Sequence, residues 1–476
     1  MRKVNIIFLL FMLVGINVNA DDYVWSSIQL QSGELSGYAK TSNPVFSPDG
    51  STMYVPTSSP NGHLFAIDVA TGDIQWVFEI DELTYGGGAL VGNDGTIYQG
   101  SDAAIYAINP NGTQKWKITT DGSGALARVR AFPALSANGT LYCLSNSTFY
   151  AINVSSGDEI WAKPLPNEST IGSAVLIDGD GVIYVGTNKG MFAYASDGNT
   201  KWSNTDALLN VTESGSMAID GNTLYAALKG TAGVAAINTA DGTLKWNAEA
   251  TGDAYFPIVD KNGVVYFVEK HASANVYAIN PDGTQKWLKN IGGSLNYGGL
   301  VLDENGIIYG GTQGKVEGNY KRYAINTASG EFVFNDDNEQ QIMAAFTIGL
   351  DKRLYFGTIG TSTTEGGLIQ ALNINAGLET GSWSIRGGNL QGTNCVTKKE
   401  TAISSVQQTV SYEIKVKNNS LEMKASVQGT LSVFDLTGKV LFNKTVEAGS
   451  NRTVSVLPHS VYLVKFNNEV AKVIIR

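Results

Sequence analysis

The sequence predicts an all-β protein: an eight-bladed β-propeller followed by a small C-terminal β-sandwich. Three observations predict it. A tyrosine in an apolar strand recurs at Tyr54, Tyr98, Tyr142, Tyr184, Tyr225, Tyr266, Tyr309 and Tyr355, at a period of about 43 residues that suits one four-stranded blade. Just upstream of seven of them stands an Asp-Gly or Asn-Gly pair: Asp49-Gly50, Asp94-Gly95, Asn138-Gly139, Asp180-Gly181, Asp220-Gly221, Asn262-Gly263 and Asn305-Gly306. In every unit a second glycine follows (Gly72, Gly112, Gly157, Gly198, Gly242, Gly283, Gly330 and Gly377), and an aromatic comes a few residues later.

Each unit therefore reads as strand, tight turn, strand, variable loop, strand, tight turn, strand. The Asp-Gly and Asn-Gly pairs suit the positive φ that tight hairpins require; only the eighth unit departs, with Asp351-Lys352. Blade 2 shows the pattern as Gly88 to Gly92, Thr96 to Gly100, Ile105 to Asn109 and Thr113 to Ile118. The aromatics Trp76, Trp116, Trp161, Trp202, Trp246, Trp287 and Phe334 hold one place in the repeat, which points to packing between blades, with Trp383 displaced by a longer loop. Closing the ring needs one more outer strand, because an open propeller leaves sheet edges unpaired. Tyr23-Val24-Trp25-Ser26 is the expected donor, with the Trp383 segment as the alternative.

Outside the ring, Met1-Arg2-Lys3, an apolar run from Ile6 to Ile16 and Asn17-Val18-Asn19-Ala20 form a signal-peptide pattern over residues 1–20, cleaved near Ala20. The propeller is expected over 21–396, a polar linker over 397–408 and the sandwich over 409–476. The tail's strands run Tyr412 to Val416, Ser420 to Ser426, Leu431 to Asp435, Val440 to Val446, Asn451 to Val456, Val461 to Phe466 and Val470 to Ile475. A secreted or surface-attached monomer is the expectation.

Composition removes several classes of function. The chain has 476 residues, 54 Gly, 11 Pro, 2 Cys and a formal net charge of −10, with no basic cluster that would neutralise phosphates, so nucleic acid is not expected. Cys143 and Cys395 are read as a buried and a linker thiol. His63, His271 and His459 are read as loop or tail residues and not as a zinc site. Asp178-Gly179-Asp180-Gly181 lies in the register of the hairpin turns and lacks the further ligands of a calcium loop. No nucleophile elbow, phosphate loop or H-E-x-x-H motif is present.

Two resemblances follow from these residues. Ala66-Ile67-Asp68-Val69-Ala70-Thr71-Gly72 with Trp76 resembles the tryptophan-docking repeat of pyrroloquinoline-quinone (PQQ) type propellers. Looser copies are Ala107-Ile108-Asn109 with Gly112 and Trp116, Ala236-Ile237-Asn238 with Gly242 and Trp246, and Ala278-Ile279-Asn280 with Gly283 and Trp287. The resemblance implies the fold. Some members are alcohol dehydrogenases using PQQ and calcium, whose sites need an adjacent cysteine pair, an Asp base and acidic ligands; this chain has no such pair, so neither cofactor is expected. Other members are non-enzymatic, including an assembly scaffold of the bacterial outer membrane.

The tail resembles the C-terminal sorting domain of type IX secretion cargo, known from the Bacteroidota. The matching residues are Val433-Phe434-Asp435-Leu436-Thr437-Gly438-Lys439-Val440, Val461-Tyr462-Leu463-Val464 and Lys472-Val473-Ile474, with Ser460 where that family usually has Gly. This implies the type IX machinery as a partner and removal of the tail on export.

Loops on a rigid scaffold carry most binding sites. Residues just before the innermost strands should ring the mouth of the channel: Tyr85, Arg128, Arg130, Glu213, Asp253, Tyr255, Asn296, Tyr297 and Gln341. Aromatic rings beside polar groups suit a glycan or a peptide. The expected function is a non-catalytic binding or scaffold propeller. The alternative is a carbohydrate-active lyase or hydrolase, for which Glu213 and Asp253 would have to lie within roughly 5–10 Å of each other.

Overall fold

A computed structural model describes residues 28–29, 31–32, 35–36, 44–396 and 412–475, apart from the segments named next. Those left out are 58–61, 81–87, 102–103, 120–132, 146–147, 167–170, 212–216, 271–273, 293–298, 314–319, 339, 343–344, 360–366 and 381–382 in the ring. In the tail they are 418–419, 426–427, 435–438, 449–450, 455–459 and 467–468. The chain divides into two compact units, residues 1–398 and 399–476.

The first unit holds eight antiparallel blade sheets in sequence order, beside a two-stranded sheet of Gln31–Ser32 and Leu35–Ser36. Blade 1 pairs Val45–Phe46, Thr52–Thr57, Gly62–Asp68 and Ile74–Ile80; blade 2 pairs Leu90–Val91, Ile97–Gly100, Ala104–Ile108 and Gln114–Thr119. The same order repeats through blade 7, which ends with Phe332–Asn338. The middle two strands of each blade are buried on both faces, as in blade 2, where Ala104–Ile108 is buried at every position. The outer strands alternate between exposed and half-buried.

The first hairpin of blades 1 to 7 turns through a left-handed glycine, and Lys352 takes that place in blade 8. In blade 1 the Ser47 carbonyl accepts the Gly50 N–H at 2.9 Å, and Gly50 has φ +73°. Only the glycine of the pair is left-handed, so these are type I turns closed by a bulge glycine and not turns with two positive φ values, except in blade 5, where the two-residue turn Gly221-Asn222 joins Asp220 to Thr223. The acid has a different task. Asp49 Oδ1 accepts Ser47 Oγ–H and the Ser51 N–H, and these bonds hold its carboxyl down at about 2. In blades 4, 6 and 7 the acid stands at the first turn position: Asp178, Asp260 and Asp303 each accept two turn N–H groups and the hydroxyl of the repeated tyrosine, Tyr184, Tyr266 or Tyr309.

The repeated tryptophan crosses the blade boundary. Trp76, Trp116, Trp161, Trp202, Trp246 and Trp287 each donate their indole N–H to a carbonyl of the following blade, at 2.7–3.0 Å. Each also lies beside the tyrosine of its own blade, with ring centroids 5.7–5.9 Å apart. The second glycine of the next blade lies under the indole; a Cβ on Gly242 would come within 2.5 Å of Trp202, so no other residue fits there.

Blade 8 is closed by the N-terminal side of the chain. Its outer strand is Ile28–Gln29, with Ile28 opposite Ile369 and Gln29 opposite Leu368. Tyr23 to Ser26, the expected donor, lies outside the described residues, and Trp383 is in no outer strand. The inner position of blade 8 is shared by Thr347–Ile348 and Gln341–Ile342.

After Asn373 the chain enters the central channel, where the alternative reading had placed an outer strand. Leu378 pairs with Asp303 and Ile385 with Val301 of blade 7, and Cys395 pairs with Ile177 of blade 4. Cys395 is thus a half-buried residue of this channel segment and not of a linker, while Cys143 is buried inside blade 3. His63 is likewise no loop residue; it is buried in the third strand of blade 1.

The second unit has two antiparallel sheets. One joins Tyr412–Lys417, Ser420–Ala425 and Asn451–Val454; the other has Val440–Val446, Gly429–Phe434, Ser460–Phe466 and Glu469–Ile475 in that order. Leu431, Val433, Val464 and Phe466 alternate onto one buried face of the larger sheet.

Candidate functional site

The channel has two ends. The hairpin turns surround one, the turn face, and the connections between blades and between middle strands surround the other, the loop face. At the turn face the inner strands meet residues 376–396, whose stretch Trp383 to Gly387 is buried without interruption. Four left-handed residues, Gly387, Gly388, Gly392 and Asn394, let the segment coil in the channel. Asn389 braces that coil by accepting the Thr393 N–H and donating to Thr393 Oγ1.

Arg386 is fully buried here, and its guanidinium stacks 4.0 Å from the centroid of Phe256. Phe256 lies in a bulge of blade 6's inner strand with φ +50°, a strained backbone for a bulky residue. Burial pushes the Arg386 guanidinium well below its ordinary value. Guanidinium on an aromatic face is a favourable pairing that a desolvated site strengthens.

On the loop face the structure describes three of the predicted mouth residues. Asp253 is half-buried at the start of blade 6's inner strand, and its carboxylate accepts the Gly230 N–H of blade 5 at 2.5 Å. Tyr255 is only 4% exposed, so it belongs to the wall between strands and offers no stacking face at the mouth. Gln341 is in the short strand that pairs with Ile359. Tyr85, Arg128, Arg130, Glu213, Asn296 and Tyr297 lie outside the described residues, as do His271 and His459.

Next to Asp253, sequence reading missed Glu269. It is completely buried, and its carboxylate accepts the N–H and hydroxyl of Thr251, the Tyr277 hydroxyl and the Asn275 side-chain amide. Four donors on one carboxylate make it a bracket between blades 5 and 6. Only its place in the strand Val-Tyr-Phe-Val-Glu-Lys, where an acid follows four apolar residues, signals it.

A cleft of about 190 Å³ opens at the turn face between blades 6 and 7, lined by Asp260, Lys261, Glu304, Thr327 and Glu379 among others. Its acids are occupied. Glu379 accepts the Lys261 N–H, and Glu304 accepts the Gly377 N–H and pairs with Lys352 at 3.0 Å. Burial raises the Asp303 carboxyl beside it. Among the described residues no group of three or more His, Cys, Asp or Glu could hold a metal ion. The Asp178 carboxylate, in the sequence that resembles a calcium loop, is bound to the Asp180 and Val182 N–H groups and the Tyr184 hydroxyl.

A family model described as outer membrane protein assembly factor BamB matches residues 101–314, which run from blade 2 into blade 7. The chain is a β-propeller whose repeats are similar to those of that family over this span. A curated relative, outer membrane protein assembly factor BamB of Moranella endobia, is 26% identical over 176 residues, covering 37% of this chain and 43% of the relative. The match thus spans less than half the relative's length. Among solved structures, a europium-containing methanol dehydrogenase superposes with a TM-score of 0.56 at 13% identity, covering 74% of this propeller chain and 93% of the other. The computationally designed Ika8 protein gives 0.54 at 13% identity, covering 73% and 99%. Both show the fold alone.

The residues do not fit the PQQ group. The cysteines needed as an adjacent pair are one thiol buried in blade 3, pushed up to about 12 by desolvation, and one in the channel segment.

Proposed function

We propose that this propeller is a non-catalytic scaffold that works outside the cytoplasm and presents its loop face to a partner protein, with a surface glycan as the second candidate ligand. The match of blades 2 to 7 to a propeller named for assembling other proteins carries this reading. An assembly factor works by contact, and contact needs a rigid display of loops more than converging catalytic groups. The described part of the site suits that role: Asp253, Glu269 and Arg386 are each engaged in holding the wall or the channel segment.

The test uses the full chain as bait against a bacterial envelope extract and, separately, on a glycan array. Arg130→Ala alters a residue that the sequence places at the mouth, and Lys245→Ala alters an outer strand. The reading expects binding that Arg130→Ala weakens at least about tenfold and Lys245→Ala leaves alone. Equal binding by both variants, or none on either platform, would refute it.

The same proposal extends to the ends of the chain. Residues 1–20 would direct export, and the tail would act as the sorting domain it resembles and be removed. Val396 still donates its N–H to the Ile177 carbonyl of blade 4 at 2.9 Å, so a cut that spares the ring must fall beyond it. Mass spectrometry of the exported protein should find its C-terminus between residues 397 and 411. Exported copies that all retain Arg476 would rule the processing out.

A further inference from the structure

We propose that residues 376–380 and 383–396 form a keystone: among the described residues this segment closes the turn end of the channel permanently and holds the inner strands of the ring in place, leaving the loop face as the way in. The observation is a repeated one. The last inner-strand residue before the turn donates its N–H to this segment in six blades. Phe46 bonds to Leu390, Val91 to Gln391, Leu135 to Thr393, Ile177 to Asn394, Val259 to Trp383 and Leu302 to Ser384, all at 2.8–2.9 Å. These are equivalent positions of the repeat, so one segment of irregular backbone satisfies a set of donors that the blades cannot satisfy among themselves.

The two remaining blades are reached by side chains. Trp383 is 3% exposed and packs in the cluster formed by blade 5 and its neighbours, and Ile385 packs with Ile348 of blade 8. The segment is thus bonded to six blades and shares hydrophobic clusters with the other two. The segment also passes from blades 7 and 6 to blades 1, 2, 3 and 4, so it ties distant parts of the ring that share no blade interface. Removing it would leave a row of inner-strand N–H groups facing a void or entering water, and an unsatisfied buried donor is costly. A gate would be held by few, exchangeable contacts; six main-chain bonds and a buried tryptophan describe a permanent part of the fold. A ligand consequently cannot thread the ring.

The chain carries its own reporters. Cys395 is in the segment and half-buried, whereas Cys143 is buried in blade 3. Gly392→Val is the unseating variant, because a Cβ there would lie 2.9 Å from Val45 Cγ1 and 3.1 Å from the Ala89 carbonyl, and Gly392 has φ +64°. Maleimide labelling of the full chain should be slow at both thiols in the native protein. In Gly392→Val, Cys395 should label at least about tenfold faster, and Cys143 should follow with a lowered melting temperature, because loss of the keystone loosens the whole ring. Fast labelling of Cys395 with Cys143 and the melting temperature unchanged would make the segment a passenger and overturn the proposal. Unchanged labelling of Cys395 would overturn the packing on which it rests. If Gly392→Val yields no folded protein, Asn389→Ala, which removes the brace on Thr393 and a 3.5 Å bond to the Cys395 carbonyl, gives the same comparison. There the two labelling rates must rise together, and a rise confined to Cys395 refutes the idea.

Discussion

Trp202 shows what the repeated aromatic does. It is 8% exposed, donates to the Thr239 carbonyl of blade 5 at 2.7 Å, lies on Gly242 and stacks obliquely with Tyr184 of its own blade. Trp202→Ala should lower the unfolding free energy by about 3–5 kcal/mol, the range for a buried large aromatic, and should leave loop-face binding intact. Urea unfolding checks this, and an unchanged midpoint would contradict it. Lys352 shows the opposite case, a residue at odds with its position. It occupies the left-handed turn site that glycine takes elsewhere, with φ +63°, and a side-chain pair with Glu304 that is about half exposed on both partners. A non-glycine residue in that region costs about 1–2 kcal/mol, while an exposed ion pair contributes at most about 1 kcal/mol. Lys352→Gly should therefore raise the thermal midpoint by a few degrees in calorimetry, and a fall would show that the Glu304 pair outweighs the strain.

Among the elements, the outer strands carry the largest exposure and the greatest risk of edge pairing. They manage it with charge. Lys115, Lys201, Lys245 and Lys286 each stand immediately before the docking tryptophan, so a lysine guards the edge in four blades. Blade 8 has no outer strand of its own, and Ile28–Gln29 supplies it through only two described residue pairs. Those pairs complete blade 8, which no tryptophan of the repeat joins to blade 7 or to blade 1 among the described residues. Removing residues 21–32 should leave an open ring with an unpaired edge at Leu368–Asn373, with a lower melting temperature and self-association in light scattering. A monomer of native stability after that deletion would show that blade 8 closes without the N-terminal strand.

At the scale of the whole molecule, the tyrosine repeat is a pH-dependent contribution to stability. Burial, with a nearby turn carboxylate in support, pushes Tyr54, Tyr98 and Tyr225 up to about 12. Tyr184, Tyr266 and Tyr309 are raised for the same reason and by hydrogen bonds to Asp178, Asp260 and Asp303. Each phenol thus holds its proton more tightly folded than unfolded. The stability this contributes is fully present below about pH 10, the unfolded value, and is lost as pH rises from there to about 12. The urea midpoint should be level below pH 10 and fall above it, with the repeated tyrosines ionising only as the protein unfolds. Ionisation of Tyr184, Tyr266 or Tyr309 at pH 10.5 in a still-folded protein, read by NMR of ring-labelled tyrosine, would contradict this.

The sequence alone determined the ring. Blade number, strand order, both hairpins and the docking tryptophans were all legible, because each rests on local rules: glycine where φ must be positive, alternation where a strand is half-buried, and a period that repeats them. The seven strands of the tail were legible on the same ground. Tertiary structure alone decided what fills the channel. Arg-Gly-Gly-Asn-Leu-Gln-Gly-Thr-Asn, from Arg386 to Asn394, reads as loop because its partners are inner strands up to 344 residues away, as for Phe46 with Leu390, and Asn394 with Pro133, 261 residues away. The same limit applied to the site. Tyr255 had the right position for a mouth residue, but a bulge at Phe256 and the packing of blade 6 put its ring inside the wall. Periodicity predicts contacts that every blade repeats; a segment that each blade meets only once leaves no period to read.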